Sequence, residues 1–329
     1  MAVTAEEILA TYEELSEIEA QFDDVETDII RHQYNLSKDL YVKREKIVSK
    51  IEHFWPLVFE QAPMDIDEFI QPSDSQIILG ALKSIDVKRF EIDTPVEGGD
   101  PRSVSIRFEF NENEYFENKV LEKKFWWRHG KDGFVGYVSE PVDIKWKAGK
   151  DLTNGLLSLA KAAWEEEQTA SKKEGKEKKE LTPKQKELKE KLDAEAATGA
   201  ESFFCFFGFI GERVSAEENI EALKKEAEDR KKRQAGEKVE DDDEEMKEDE
   251  DDEDWEDEED LDIFPQGDTI AMAIADDLWP NALKYFTQAQ ESDDLSDDED
   301  DEDEEGDEEE EDGDKPSKKH KACAHGCKH

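Results

Sequence analysis

The sequence predicts an α+β protein. A long N-terminal helix that self-associates leads into a domain of about four antiparallel strands flanked by helices, and a disordered acidic loop and tail complete it. Three observations carry this. Between Thr4 and Trp55 there is no Gly and no Pro, and apolar residues recur with heptad spacing. Three stretches between Ile85 and Trp146 alternate apolar and polar residues, as half-buried strands do. Two runs, Glu237–Asp262 and Glu291–Asp314, hold 20 and 19 acids, so most of the net charge of −48 is local.

The helix comes first. Thr4 and Glu7 are placed to form a capping box. Ile8, Leu15, Ile18, Phe22, Val25 and Ile29 follow a 3–4 stripe, which slips by about four residues and continues through Leu36, Leu40, Ile47, Ile51 and Phe54. About 50 residues at 1.5 Å each span about 75 Å. No small domain covers that length, so a second copy buries the stripe, with Leu15, Ile18, Phe22, Val25, Ile29 and Leu36 at the interface. The alternative is a helix broken near Asp23–Asp28 and folded on itself.

Residues 1–55 are therefore assigned to the helix, 56–290 to the domain and 291–329 to the tail. Pro56 starts a short helix, and Ser73 with Gln76 caps another near Asp74–Lys83. Ile85–Ile92, Val104–Phe110, Val120–Trp127 and Val142–Trp146 are the expected strands, in an antiparallel meander. A helix over Asn154–Gln168 follows. Residues 169–200 are rich in Lys, Glu and Ala and lack an apolar stripe, so they read as a solvated helix or linker, with Thr182, Pro183 and Gln185 as a cap. Ser215 and Glu218 cap a charged helix ending near Arg233. A last helical region, Asp268–Phe286, is interrupted at Pro280.

The acid runs repel themselves and stay solvated. A free polyanion repels nucleic acid and attracts strongly basic partners; the blander role is solubility. Three cysteines, Cys205, Cys323 and Cys327, cannot all pair within the chain, which reads as reduced, hence cytosolic or nuclear. Met1–Glu7 is polar, unlike a signal peptide, and the longest apolar run, Phe203–Ile210, is too short for a membrane span.

Signals of catalysis are poor: there is no phosphate-binding loop, nucleophile elbow or helix-spaced metal pair. The chain is expected not to be an enzyme. His32, His53 and His129 read as surface or interface residues, and Trp126, Trp127 and Trp146 as core or sheet-face residues. His320, Cys323, His325, Cys327 and His329 have metal affinity as donor types, yet crowd too closely for a structural site. No metal or cofactor is assigned. Lys315, Lys318, Lys319 and Lys321, and also Arg230–Arg233, resemble short nuclear import signals.

Four segments together carry a resemblance: FENKVLEKKF at Phe116–Phe125, IKWKAGKDLT at Ile144–Thr153, SFFCFF at Ser202–Phe207 and IADDLWPNALKYF at Ile274–Phe286. In this order they resemble the nucleosome assembly protein family, most closely its SET branch. The resemblance implies a dimerising helix carrying a sheet-and-helix "earmuff" domain at each end, with charged insertions at about 169–200 and 212–266. It implies a histone chaperone in the nucleus and also the cytoplasm, touching DNA only through histones. Core histones would bind the concave underside, where Cys205, Gly208, Asp268 and Thr269 stand. The SET branch favours Thr at the first two and an acid at the last.

The internal acid run ends six residues before Asp268. Asp241, Asp242, Asp243, Glu244, Glu245, Asp249, Asp251 and Asp252 are therefore expected to add histone affinity. The resemblance leaves two alternatives: inhibition of a Ser/Thr protein phosphatase, or a non-catalytic cofactor role presenting histones to an acetyltransferase.

Overall fold

The computed structural model describes residues 5–171, 181–196, 201–234 and 261–303. Helix α1, Ala5–Val48, is 44 residues long, about 66 Å at 1.5 Å per residue. It is unbroken across Asp23–Asp28, so the folded-back alternative is not the one taken. It ends before the expected boundary. Pro56 has no N–H to give to the carbonyl four residues back, so one helix cannot run through 52–56. The chain instead turns at residues 49–53, with His53 at φ 57°, and restarts as α2, Phe54–Glu60. The cap at Thr4 and Glu7 lies outside the described side chains.

Short helix α3, Met64–Asp67, precedes α4, Pro72–Ala81. The cap of α4 is not the expected Ser73–Gln76 pair. Pro72 is preset for the first turn, so the helix starts earlier, and Asp74 Oδ2 accepts from Gln71 N at 3.0 Å. Strands β1, Leu82–Lys88, β2, Val104–Phe110, β3, Val120–His129, and β4, Val135–Ser139, form one antiparallel meander in the order β1-β2-β3-β4. The register pairs Val104 with Phe125, Ile106 with Lys123 and Phe108 with Leu121. Those side chains share the inner face, buried against the rest of the domain. The outer face carries ions, as in Lys83–Glu109 at 2.6 Å and Arg107–Glu109 at 3.3 Å.

Two strand expectations are corrected. β1 begins and ends earlier, and Phe90–Asp93 is a one-turn helix, α5, whose Phe90 ring meets Trp126 at 5.8 Å. The fourth strand is Val135–Ser139, hairpinned to β3 through Gly133 at φ 91°; Val142–Trp146 keeps only a bridge between Trp146 and Phe116. Gly136 hid the true strand, and Pro141, which lacks an N–H, ends the ladder.

Helix α6, Leu156–Ser171, packs against α7, Pro183–Ala196. The expectation of a solvated segment there is also corrected. Leu181, Gln185, Leu188 and Leu192 do form a 4–3–4 stripe; Gln185 and Leu188 are buried, and the two flanking leucines pack on the core. The cap is as expected: Gln185 Oε1 accepts from Thr182 N at 2.8 Å. A 3-10 turn, Phe203–Gly208, leads to α8, Ala216–Gln234, where Ser215 Oγ accepts from Glu218 N at 3.1 Å.

Helix α9, Gly267–Met272, passes into a π-helical segment, Ala273–Leu278, and Pro280 separates this from α10, Ala282–Asp303. The first unit of the chain closes at Ala289, and the second starts at Gln290. α10 continues past the expected boundary at residue 290. Its first turns are nucleated by buried Ala282, Tyr285, Phe286 and Ala289, and extending a formed helix is much easier than starting one.

Candidate functional site

α1 has two unlike faces. Thr27 and Val48 are buried and Ala20, Ile30, Tyr34, Ser37, Tyr41 and Arg44 half-buried against the chain's own domain. The attachments on this side include polar ones, Arg102 to Asp23 at 2.6 Å, Tyr34 Oη to Asp93 at 2.5 Å, Lys38 to Asp93 at 3.3 Å and Arg230 to Asp24 at 2.8 Å, and the packing of Val48 and Tyr41 on the core. The apolar stripe points elsewhere. Leu15, Ile18, Phe22, Val25, Ile29 and Leu36 are 46–66% exposed. A helix lying on the surface of its own domain normally turns such a stripe inward, and here it faces outward.

The second feature is built from the backbone upward. Asp74, fully buried, accepts from Ser202 Oγ at 2.6 Å, Phe203 N at 2.8 Å and Gln71 N at 3.0 Å, so one carboxylate starts both α4 and the 3-10 turn. Burial raises its pKa above the ordinary range, and those hydrogen bonds work in the opposite direction. Phe203, Phe204, Phe206 and Phe207 then interlock with Phe108, Phe116, Phe125 and Trp146.

The last two residues of the turn and the three that follow, 207–211, form a strip. Val142 N donates to Phe207 O at 2.8 Å and Ser139 N to Ile210 O at 2.7 Å, which covers the edge beside β4. Lys123, which no water reaches, donates to Glu140 O at 2.7 Å, Phe207 O at 3.1 Å and Phe209 O at 2.5 Å. Burial pushes its pKa down to about 7, against the pull of Asp262 and Glu140. Asp262 Oδ2 accepts from Ile210 N and Gly211 N, both at 3.2 Å.

The strip packs on the segment that follows the internal acid run. A Cβ on Gly208 would overlap the Ile263 side chain, and one on Gly267 would stand 2.5 Å from Phe209 Cβ. The two segments expected to share a surface therefore do lie against each other. Their residues divide, however. Cys205 and Gly208 are buried, whereas Asp268 is half-buried and Thr269 exposed. Asp268 Oδ1 accepts from Thr269 N at 2.6 Å. Asp241, Asp242, Asp243, Glu244, Glu245, Asp249, Asp251 and Asp252 lie outside the described residues, as do the basic and Cys/His residues after Asp314.

Sequence reasoning missed Asp74, Lys123, Asp262 and Arg44. One signal was present for Lys123: it interrupts the inward alternation Leu121, Lys123, Phe125. Trp126, Trp127 and Trp146 are sheet-face and core residues, and His129 Nδ1 lies 2.9 Å from Glu226. No helix among the described residues is long and apolar enough to cross a membrane.

Known proteins resemble this chain. A candidate nucleosome assembly protein of Schizosaccharomyces pombe is 33% identical over 156 residues, 44% of this chain and 61% of that protein. Protein SET of Drosophila melanogaster is 34% identical over 148 residues, 44% of this chain and 52% of that one. The matched stretch thus spans between about half and three fifths of these relatives. The crystal structure of Vps75 shares the fold, with a TM-score of 0.50 over 85% of this chain and 98% of that chain at 21% identity. The model of the nucleosome assembly protein (NAP) family matches residues 6–289, nearly the whole of the folded chain, which therefore belongs to that family.

Proposed function

We propose that this chain is a non-catalytic histone chaperone that works in the nucleus as a homodimer. Free histones bind DNA wherever they meet it, because their charge releases counterions from the phosphates. A soluble acid surface competes for that charge reversibly and lets the histone pass to its proper place. One observation carries the reading. Asp262, the last acid of the internal run, is fastened to the strip 207–211, only six residues before Asp268 and next to a folded surface.

Shape and charge then have separate roles. Asp268, Thr269 and their exposed neighbours touch the histone, while Cys205 and Gly208 set the strip's form from beneath. Asp241–Glu245, Asp249, Asp251 and Asp252 supply long-range attraction and faster encounter. Screening acts over about 8 Å at physiological salt, so acids close to the folded surface contribute most. The outward stripe of α1 makes the dimer. Burying one such side chain stabilises by roughly 1.5–3 kcal/mol, and a partner helix buries several.

Plasmid supercoiling tests the function. Relaxed plasmid, core histones and topoisomerase are mixed with increasing amounts of the protein near physiological salt. Supercoils should appear, and histone–DNA precipitation should fall. If no ratio yields supercoils, the chaperone reading is overturned; inhibition of a Ser/Thr phosphatase in a parallel assay would then replace it.

A further inference from the structure

The strip 207–211 is gripped from two sides, by an amine and by a carboxylate. Lys123 takes the carbonyls of Phe207 and Phe209, and Asp262 takes the amides of Ile210 and Gly211. The third N–H of Lys123 goes to Glu140 O, so three carbonyls use all that an ammonium can give. A neutral residue of similar size would take away the Lys123 donor from Glu140 O and Phe209 O and leave Phe207 O with Val142 N alone. Core packing does not account for Lys123. It stands between Leu121 and Phe125 on the inner face of β3, where an apolar side chain would fill the space without the cost of burying a charge. What a lysine adds there is a grip on backbone.

Asp262 is held just as firmly from its own side. Leu261, Ile263 and Phe264 are all buried, and Asp262 Oδ1 also accepts from Phe264 N at 3.1 Å. The point at which the chain enters the domain after Asp260 is thus anchored through its neighbours and through the strip. Six extended residues reach at most about 20 Å. Whatever fixes Asp262 also fixes the distance between the end of the acid run and Thr269.

We propose that Lys123 and Asp262 are positioning residues: they grip residues 207–211 between them and so set where the internal acid run joins the binding surface. The proposal rests on the chaperone reading for its effect on histones, but not for its effect on the backbone. A carboxylate that merely stabilised the domain would weaken binding whether or not the run were charged. A positioning carboxylate matters only while there is charge to place, because a short tether acts through local concentration.

Four full-length proteins test this: wild type, Asp262→Ala, a chain with residues 240–260 replaced by neutral Gly/Ser of equal length, and the two changes combined. Binding of fluorescent core histones is measured at low and high salt, and amide hydrogen exchange is followed at Ile210 and Gly211. Asp262→Ala should speed exchange at both amides and weaken histone binding several-fold at low salt. In the neutral-loop background it should weaken binding no further. Lys123→Met should reproduce the loss, and if that variant fails to fold, Asp262→Ala decides alone. Equal losses in both backgrounds, or no loss in either, overturn the proposal. So does unchanged exchange at Ile210 and Gly211. Wild type that binds no histone, with faster exchange in the variant, removes the chaperone reading and leaves only the backbone grip.

Discussion

Arg44 of the long helix donates to Trp279 O at 2.6 Å while its guanidinium lies 4.6 Å from the same tryptophan's ring centroid. The contact joins residues 235 positions apart. Tyr41 and Trp55 flank the same cation, at 4.7 and 5.8 Å, and Pro280 O accepts a further bond at 3.2 Å. Trp279 in turn donates from its indole to Ile85 O at 3.0 Å, on the edge strand β1. α1, the sheet and the break between α9 and α10 thus meet at one guanidinium.

Replacing Arg44 should therefore cost more than an ordinary surface change. A hydrogen bond to a charged group contributes about 1.5–3 kcal/mol, and a partly desolvated cation–π contact adds about 0.5–2. Arg44→Ala should lower stability by about 2–4 kcal/mol, read as a shift in the urea midpoint. Arg44→Lys should restore little, because an ammonium cannot stack and also reach both carbonyls. Equal midpoints for Arg44→Ala and wild type would refute the clamp.

The outward stripe yields a cleaner separation. Ile18 and Val25 face away from the chain's own domain, so Asp at both should break the proposed homodimer without unfolding the sheet. Light scattering should report a dimer for wild type and a monomer for the double variant at micromolar concentration, with strand circular dichroism retained. A monomeric wild type would remove the stripe's role.

Lys123 makes a prediction about pH. Its pKa in the folded chain is pushed down from 10.5 to about 7. Below pH 7 the amine is charged in both folded and unfolded chains, and its burial works against folding. Between pH 7 and 10.5 the unfolded chain keeps the proton that the folded chain has released. Folding is then favoured by rising pH, by up to about 1.4 kcal/mol per unit for one proton. Asp262 and Glu140, the charged groups facing it, limit the effect by favouring the ammonium. The urea midpoint should climb between pH 6.5 and 8.5 in wild type, and this climb should be absent in Lys123→Met. Parallel pH profiles for the two proteins would show that Lys123 does not titrate there.

Gly208 tests the contact between the strip and the segment after the acid run. A Cβ there would overlap Ile263 and stand 3.2 Å from Leu157 Cδ1. Gly208→Ala should cost about 1–3 kcal/mol, the usual range for overpacking, and Ile263→Ala in the same chain should return part of it. Additive losses, with no rescue, would mean that the two side chains do not oppose each other.

Local signals written along the chain were enough for much of this molecule. The heptad stripe, the alternation in β2 and β3, the cap at Thr182–Gln185 and the acid runs depend only on neighbours within a few residues. They led to the long helix and the meander, and four ordered segments between Phe116 and Phe286 led to the family. The ends of β1 and the whole of β4 were harder, because Phe90 leaves its strand for Trp126, and Gly136 has no side chain to mark a face. Tertiary structure alone decided which of the expected contact residues are exposed. Cys205 and Gly208 looked like contact positions along the sequence, yet Ile263, more than 50 residues later, closes over the glycine. Lys123 breaks the inward alternation of β3, but the three carbonyls that surround it come from two distant segments. The sequence states which groups carry charge. Whether a charge is solvated or buried depends on segments far apart in the chain, because water is excluded only by what packs around a group.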